Sequence, residues 1–270
     1  TKAVPKELLP IVDVPALQLI IDECVAAGID HIVVVNSHTK PALEAYFAES
    51  TTIIAKLESS GRTDVADRLR SIGRDVRISF AYQDQPLGLG HAVGCAREAV
   101  GDEPFAVLLP DELMGSSELL AVMCSVCVET GGSVVGLKRV PRADVGAYGV
   151  ITPTGPVDDH GVVGISDLVE KPPPASAPSD LIIIGRYVLT PDVFTAIAAL
   201  QPGAGGELQL TDALRVQAAN GPFHGVLRDV RRYDTGTPVG WLGAVVEYGL
   251  AHPRYGAAFR EELQRIVSGS

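Results

Sequence analysis

Two acidic motifs in this sequence could hold a divalent cation. In LLPDE (108–112), Asp111 and Glu112 follow an apolar segment that predicts a strand, and in RYDTG (232–236) Asp234 precedes a predicted helix. Ligands of open α/β sheets bind beyond the carboxyl ends of strands, and hard cations such as Mg²⁺ prefer oxygen donors. Asp111 is therefore a candidate magnesium ligand and Asp234 a candidate second one. The residues alone leave open that Asp111 caps a helix or turn and that Asp234 caps a helix.

The motif DLVEKP (167–172) places a carboxylate beside an ammonium group at the end of a predicted strand. Because adjacent strand residues point to opposite faces, Glu170 and Lys171 are not expected to pair with each other. One of them could then bind sugar hydroxyls while the other binds a phosphate. The alternative is an ordinary charge pair on an edge strand.

A glycine-rich segment, PLGLGHAVG (86–94), follows one predicted strand and opens a helix. Gly88 and Gly90 allow a ligand to approach the backbone closely, and a helix N-terminus offers unpaired N–H groups to phosphate. Gln83, just before this segment, could reach a base edge with its amide. The pattern GxGxxxG is one residue longer than the dinucleotide fingerprint, so a purely structural turn and a nicotinamide-dependent dehydrogenase are the alternatives.

The elements that carry these motifs alternate along the first half of the chain. Short apolar segments at 31–36, 75–82, 105–109 and 133–140 predict strands, and amphipathic segments at 14–28, 40–57, 62–72, 88–99 and 116–129 predict helices. This order predicts α/β layers on a mostly parallel sheet. Consecutive strands at 148–172 and 180–190 add a mixed part, and the tail, 237–267, predicts two helices broken near His252-Pro253.

Composition excludes several classes of partner. The chain has 270 residues, 46% of them hydrophobic, and a formal net charge of −11, which argues against nucleic acid or an anionic membrane as the main partner. No apolar run approaches the roughly 18–20 residues that span a bilayer. The four cysteines lie in apolar, helix-like contexts, which suits reduced thiols and predicts a cytoplasmic protein.

The motifs together resemble one family. TKAVPKELLPIVDVPALQ, PLGLGHAV, LLPDE, AYGV, VEKP, GRYVL and PGAGGELQLTDA occur in the order found in bacterial UTP–glucose-1-phosphate uridylyltransferases, also called UDP-glucose pyrophosphorylases. The resemblance covers nearly the whole chain, and PGAGGELQLTDA (202–213) is the segment that most favours the uridylyl branch over the thymidylyl one. It implies a Rossmann-like, three-layer nucleotidyltransferase fold with a mostly parallel mixed sheet and C-terminal helices.

The resemblance also implies an activity and a set of site residues. The family joins UTP and α-D-glucose 1-phosphate into UDP-glucose and pyrophosphate, with Mg²⁺ as cofactor. The matching positions imply that Lys6 contacts the nucleotide phosphates, that Lys171 binds the sugar phosphate, and that Asp111 holds magnesium with Asp234 completing the metal site. The remaining positions match residues that read uracil (Gln83 and Gly88) or contact the sugar (Gly149, Glu170 and Gly185).

Domain organisation and assembly follow from the same resemblance. We expect a catalytic domain over residues 1–236 and a C-terminal helical segment over 237–270, in a homodimer or homotetramer. In the family a first strand and a GxGTRxxP loop that wraps the triphosphate precede the TKxxPK motif, and we expect the full protein to have them. A thymidylyltransferase acting on the same sugar phosphate and a non-catalytic paralogue that binds UDP-glucose are the two rival functions.

Overall fold

The computed structural model describes residues 4–48, 50–74, 76–203 and 206–269, which form both helices and strands. Residues 1–3 of the first family motif and 204–205 of PGAGGELQLTDA lie outside the described residues. The strands are β1 (Pro10–Ile11), β2 (Val14–Pro15), β3 (His31–Asn36), β4 (Arg77–Tyr82), β5 (Phe105–Leu108), β6 (Glu112–Met114), β7 (Ser133–Arg139), β8 (Gly149–Pro153), β9 (Val162–Glu170), β10 (Leu181–Leu189), β11 (Phe223–Leu227) and β12 (Arg232–Asp234).

Helices fill the connections of the first half and form the C-terminus. They are α1 (Ala16–Ala26), α2 (Pro41–Phe47), α3 (Thr51–Ser59), α4 (Thr63–Ser71), α5 (Leu89–Cys95), α6 (Arg97–Val100), α7 (Glu118–Thr130), α8 (Val193–Ala199), α9 (Leu210–Asn220), α10 (Pro238–Ala251) and α11 (Gly256–Ser268). In this described part of the chain, none of them combines the length and apolar character that a membrane-spanning helix requires.

The main sheet is the middle layer of three. Its strands lie in the order β5-β10-β7-β11-β9-β8, and β10 is buried along its whole length. Because side chains alternate along a strand, Ile183 and Tyr187 pack with α8 and α9 on one face, whereas Ile184 and Val188 pack with α7 on the other. The three-layer α/β fold class predicted from the sequence is therefore confirmed.

The expectation of a mostly parallel sheet needs correction. The sheet is mixed, as predicted, but among the described residues only β7 with β11 and β3 with β4 pair in parallel, and the other pairings are antiparallel. A parallel pair needs a crossover of a dozen or more residues, usually a helix, whereas an antiparallel pair can be joined by a short turn. No α-helix lies between β7 and β10, so the chain returns through antiparallel pairings there.

The structure corrects one predicted helix and confirms one predicted break between helices. The predicted helix over 40–57 is divided into α2 and α3. Ala48 has an extended backbone, and the Ser and Thr residues at 50–52 have low helix propensity. The predicted break near His252-Pro253 is confirmed, since α10 ends at Ala251 and α11 begins at Gly256. Trp241 and Val245 of α10 pack on a cluster that contains Ile11, so this helix covers the chain's own core.

Candidate functional site

Asp111 and Asp234 lie side by side at the carboxyl end of β5. Asp111 lies in the turn between β5 and β6, and the ladder between β6 and β12 pairs Glu112 with Asp234. Thr235 reinforces the junction by donating its N–H to the Asp111 carbonyl over 2.8 Å. A Cβ built on Gly236 would lie 3.1 Å from Asp234 Oδ1 and 3.3 Å from Asp111 Oδ2. Both carboxylates therefore face one small space, although the sequence separates them widely.

The helix-cap alternative for Asp234 is wrong. Helix α10 is capped by Thr237, whose side-chain oxygen accepts a hydrogen bond from the Gly240 N–H. Asp234 Oδ1 instead accepts from the Gly236 N–H over 3.0 Å in the preceding turn. Asp111 does lie in a turn, but no helix begins there, since α7 starts at Glu118. Among the described residues, no hydrogen bond reaches the second oxygen of Asp234, which can therefore bind a ligand.

Lys6 contacts Asp111, one of these two carboxylates, from a distant part of the sequence. It opens a 3-10 turn (Lys6–Leu8), and its Nζ lies 2.7 Å from Asp111 Oδ2, 105 positions along the sequence. The Lys6 side chain is 52% exposed and that of Asp111 34%. An ion pair this exposed stabilises a fold by only about 0–1 kcal/mol. Lys6 can therefore exchange Asp111 for a phosphate at little energetic cost. We call Lys6, Asp111, Glu112 and Asp234 the carboxylate cluster.

A hydrogen bond to Glu112 connects Gly185 of β10 with the carboxylate cluster. Glu112 Oε2 accepts from the Gly185 N–H over 3.1 Å and from Arg232 Nε over 2.5 Å. Burial by itself lowers the pKa of Arg232, but the hydrogen bond and negative charge of Glu112 outweigh it and hold that pKa above its ordinary value. A Cβ on Gly185 would lie 2.8 Å from the Cβ of Leu109, so only glycine lets β10 approach the Asp111 turn this closely.

Beneath Glu112 lies a buried ion pair between Arg186 and Glu23 of α1. The Arg186 side chain is 0% exposed and donates to both carboxylate oxygens of Glu23, over 2.8 and 2.7 Å. The same guanidinium donates to the carbonyl of Gly185 and to the carbonyl of Glu112, each over 2.8 Å. A buried guanidinium that makes four hydrogen bonds to three residues restrains the backbone and side chains that it contacts. Arg186 thus fixes the two backbone segments that carry the predicted sugar and metal contacts.

A second group, the strand-end cluster, consists of Gly149, Glu170, Lys171 and Thr211. Strands β8 and β9 pair Gly149 with Glu170, and Thr211 Oγ1 donates to Glu170 Oε2 over 2.6 Å. A Cβ on Gly149 would lie 3.3 Å from the same Glu170 oxygen and 3.5 Å from Thr211 Oγ1. One oxygen of Glu170 is therefore held by Thr211, and the other faces Lys171.

Our expectation that Glu170 and Lys171 would not pair with each other is wrong. Lys171 Nζ lies 3.7 Å from Glu170 Oε1. The alternation rule does not apply, because β9 ends at Glu170 and Lys171 has a left-handed backbone with φ of 45°. Such a conformation is strained for a residue with a side chain, and strained residues concentrate at functional sites. With 62% of its side chain exposed, Lys171 remains free to meet an anion.

The third group is the glycine loop, residues 83–91. Gln83 follows β4 directly, as predicted, and its Nε2 donates to the Gly88 carbonyl over 3.0 Å. Gly88 has φ of 100°, and a Cβ there would lie 2.7 Å from the carbonyl oxygen of Leu208. The chain's own segment around Leu208 thus requires glycine at this position, in addition to any requirement of a ligand.

Two segments join the three groups into one continuous site. Leu208, which covers the glycine loop, stands three residues before Thr211 of the strand-end cluster. Ile183 of β10, which contacts the Gly149 position, stands two residues before Gly185 beside the carboxylate cluster. Gly185 in turn donates its N–H to Glu112 of the carboxylate cluster over 3.1 Å. The predicted site residues from four distant parts of the sequence therefore lie along one path.

Sequence reasoning missed the groups that hold these residues in place, namely Glu23, Glu112 as a support, Arg186, Thr211 and Arg232. One signal was available for Arg186, because LIIIGRYVL places a single charge in an otherwise apolar strand. Lys, Glu and Arg are almost never fully buried unless paired, so that pattern indicates a buried partner. It does not say that the partner is Glu23, 163 positions away.

The fold and the arrangement of these groups define a nucleotidyltransferase. Residues 1–248 match the Nucleotidyl transferase family, and the chain belongs to that family. It is 40% identical over 268 residues to UTP–glucose-1-phosphate uridylyltransferase YngB of Bacillus subtilis, covering 99% of this chain and 90% of that protein.

Solved structures give the same result for the fold. The UTP-bound UGPase of Acinetobacter baumannii superposes with a TM-score of 0.89 at 33% identity, covering 97% of this chain and 92% of that one. A UDP-glucose pyrophosphorylase complexed with UDP-glucose superposes with a TM-score of 0.82 at 36% identity, covering 92% and 91%. The resemblance predicted from the ordered motifs is therefore confirmed.

Proposed function

We propose that this protein transfers the uridylyl group of UTP to α-D-glucose 1-phosphate, forming UDP-glucose and pyrophosphate. The observation that carries the proposal is that Lys6 contacts Asp111 and that Asp111 lies beside Asp234, three charged residues distant in sequence, in a member of the nucleotidyltransferase family. The relatives named above carry this activity in their names, and two of the related structures are described as bound to UTP or UDP-glucose.

Each group of the site receives one part of the substrates. In the proposal, Gln83 and Gly88 contact uracil, and the sugar lies against Gly149, Glu170 and Gly185. The path from the glycine loop through Thr211 to Gly185 supports this order, because it runs from the base position to the carboxylates. Lys171 meets the sugar phosphate and Lys6 the phosphates of UTP.

Asp111 and Asp234 are suited to hold Mg²⁺. Both are oxygen donors that face one space beside Gly236, and Asp111 already accommodates a cation, the Lys6 ammonium, at 2.7 Å. When bound, the ion would supply charge neutralisation at the phosphates.

The reaction needs positioning and charge rather than a protein nucleophile. A non-bridging oxygen of the sugar phosphate attacks the α-phosphorus of UTP in line, a new P–O bond forms, and the bond to the bridging oxygen of pyrophosphate breaks. The attacking phosphate is already anionic near neutral pH, so no side chain must remove a proton. Lys171 holds this anion against repulsion by the triphosphate, and Lys6 balances charge on the leaving pyrophosphate.

A coupled pyrophosphate assay tests the proposal. The full chain is incubated with glucose 1-phosphate and each of UTP, dTTP, CTP, ATP and GTP, with and without Mg²⁺, and with galactose 1-phosphate as an alternative acceptor. We expect release with UTP and glucose 1-phosphate that depends on Mg²⁺. Preference for dTTP would instead identify a thymidylyltransferase, and tight binding of UDP-glucose without turnover would identify a non-catalytic paralogue.

Substitution of Asp111 identifies the site that performs this turnover. Asp111→Asn removes one charge from the carboxylate cluster, and loss of one preorganised charge contact typically lowers the rate about 10²–10³-fold. The matched control is Asp159→Asn, an exposed aspartate on the turn between β8 and β9. We expect the control to retain full turnover. Equal rates for the two variants would remove Asp111 from the mechanism.

Assembly and domain organisation complete the proposal. Val239 and Leu242 on α10 are 80% and 55% exposed, which favours a homodimer or homotetramer formed through this helix. The proposed catalytic domain, residues 1–236, ends just before α10, and the helical segment, 237–270, follows. Light scattering on the purified chain measures the oligomer, and a monomer at micromolar concentration would contradict this part of the proposal.

A further inference from the structure

The amide of Gln83 is held in one orientation by two acceptors. Its Nε2 lies 3.0 Å from the Gly88 carbonyl oxygen and 2.9 Å from His91 Nδ1. A backbone carbonyl only accepts hydrogen bonds, so the amide nitrogen and not the amide oxygen must face Gly88. His91 Nδ1 then takes the second N–H, which places the imidazole proton on Nε2. Gln83 Oε1 accepts no hydrogen bond from the described residues and is the group left for a ligand.

We propose that His91 is a positioning residue that makes Gln83 present an acceptor to the base and thereby selects uracil over cytosine. The inference rests on the proposed function, in which Gln83 meets the uracil ring. Position N3 of uracil carries a proton, whereas N3 of cytosine carries a lone pair. When Gln83 Oε1 faces the base, it accepts a hydrogen bond from the N3–H of uracil and repels the N3 lone pair of cytosine. If the amide were inverted, its N–H would instead donate to N3 of cytosine and clash with the N3–H of uracil. Thymine has the same N3–H, so this device does not separate UTP from dTTP.

The position of His91 explains why a histidine fits here. It stands on α5, three residues after Gly88, so a single helical turn brings its ring to the amide that Gly88 also binds. The Cys95 sulfur lies 3.9 Å from both ring nitrogens, one turn further along the helix. His91 thus supplies the second of two acceptors, and without it only the Gly88 carbonyl opposes inversion of the Gln83 amide.

Two substitutions separate this role from simple packing. His91→Leu keeps a branched side chain but removes the acceptor. His91→Asn keeps an acceptor, because its Oδ1 is the same number of bonds from the backbone as Nδ1. We expect His91→Leu to lower the ratio of kcat/KM for UTP to that for CTP about fivefold, the usual effect of one neutral hydrogen bond, and His91→Asn to keep the wild-type ratio.

The experiment measures both nucleotides with glucose 1-phosphate and Mg²⁺ on the full chain, with the melting temperature of each variant. An unchanged ratio in His91→Leu, or an equal loss with UTP and CTP, would overturn the inference. If His91→Leu does not fold, His91→Ala carries the same prediction. If the wild type turns over neither nucleotide, the proposed function fails. The ratio of dissociation constants for UTP and CTP, measured by calorimetry, then still tests His91.

Discussion

The carboxylate cluster and the strand-end cluster are held in place by very different means. Behind the carboxylate cluster, Arg186 donates to Glu23, Gly185 and Glu112 in a buried network, and Glu112 also binds Arg232. In the strand-end cluster, the residues that the structure describes give the Glu170 carboxylate one hydrogen bond, from Thr211, and one ammonium neighbour, Lys171, at 3.7 Å. Several hydrogen bonds therefore hold the groups around the carboxylate cluster in place. The side chains of the strand-end cluster have fewer contacts and can still change conformation.

This difference matches the tasks in the proposed reaction. Carboxylates that share a cation repel each other, so they keep their positions only if the surrounding fold opposes the repulsion. A lysine that receives an incoming phosphate must instead be able to move towards it. The comparison predicts that damage behind the carboxylate cluster lowers stability, whereas damage in the strand-end cluster changes catalysis and substrate binding while the fold persists.

The largest expected effect is on stability, from the change Arg186→Met. It leaves the Glu23 charge buried without a partner, and breaking a buried pair in this way costs about 3–5 kcal/mol in the free energy of unfolding. Urea denaturation measures the loss. The double variant Arg186→Met, Glu23→Leu should recover most of it, because no orphaned charge remains.

An exposed pair provides the matched control for Arg186. Arg265 binds Glu262 on the surface of α11, so Arg265→Met should cost less than about 1 kcal/mol. If Arg186→Met were no more costly than Arg265→Met, the carboxylate cluster would not depend on the buried pair, and the contrast between the two clusters would fail.

Lys171 allows charge and backbone strain to be separated. Lys171→Ala and Lys171→Gly both remove the ammonium, and each should lower turnover about 10²-fold or more. They should differ in stability, since alanine in a left-handed conformation is strained by about 1–2 kcal/mol and glycine is not. We therefore expect Lys171→Gly to unfold at higher urea than Lys171→Ala.

The control for Lys171 is Lys56→Ala on the exposed face of α3, which should keep full turnover. Equal stability of the alanine and glycine variants would show that the left-handed backbone at 171 relaxes when the side chain is removed. Retained turnover in both would exclude Lys171 from the phosphate contact.

The sequence predicted the parts of the site that depend on local order. The strand over 31–36, the helix break near 252 and the placement of Gln83 after a strand follow from apolar periodicity and proline, and the structure has them. The parts it did not predict depend on strand pairing and burial. Nothing local to Asp234 indicates its pairing with Glu112, and the contact between Lys171 and Glu170 depends on a backbone conformation that the alternation rule does not anticipate.

The smallest expected effect concerns Thr211, whose hydroxyl supplies the hydrogen bond that the Glu170 carboxylate receives within the described part of the chain. Thr211→Val keeps the shape of the side chain but removes the hydroxyl that donates to Glu170 over 2.6 Å, whereas Thr211→Ser keeps the hydroxyl. A hydrogen bond to a charged group contributes about 1.5–3 kcal/mol, so the KM for glucose 1-phosphate should rise roughly tenfold in Thr211→Val and little in Thr211→Ser. The KM for UTP should stay unchanged in both, as should both constants in Thr195→Val, an exposed control on α8. A matching rise in the KM for UTP would mean that Glu170 serves the whole site, and the sugar contact assigned to it would then be wrong.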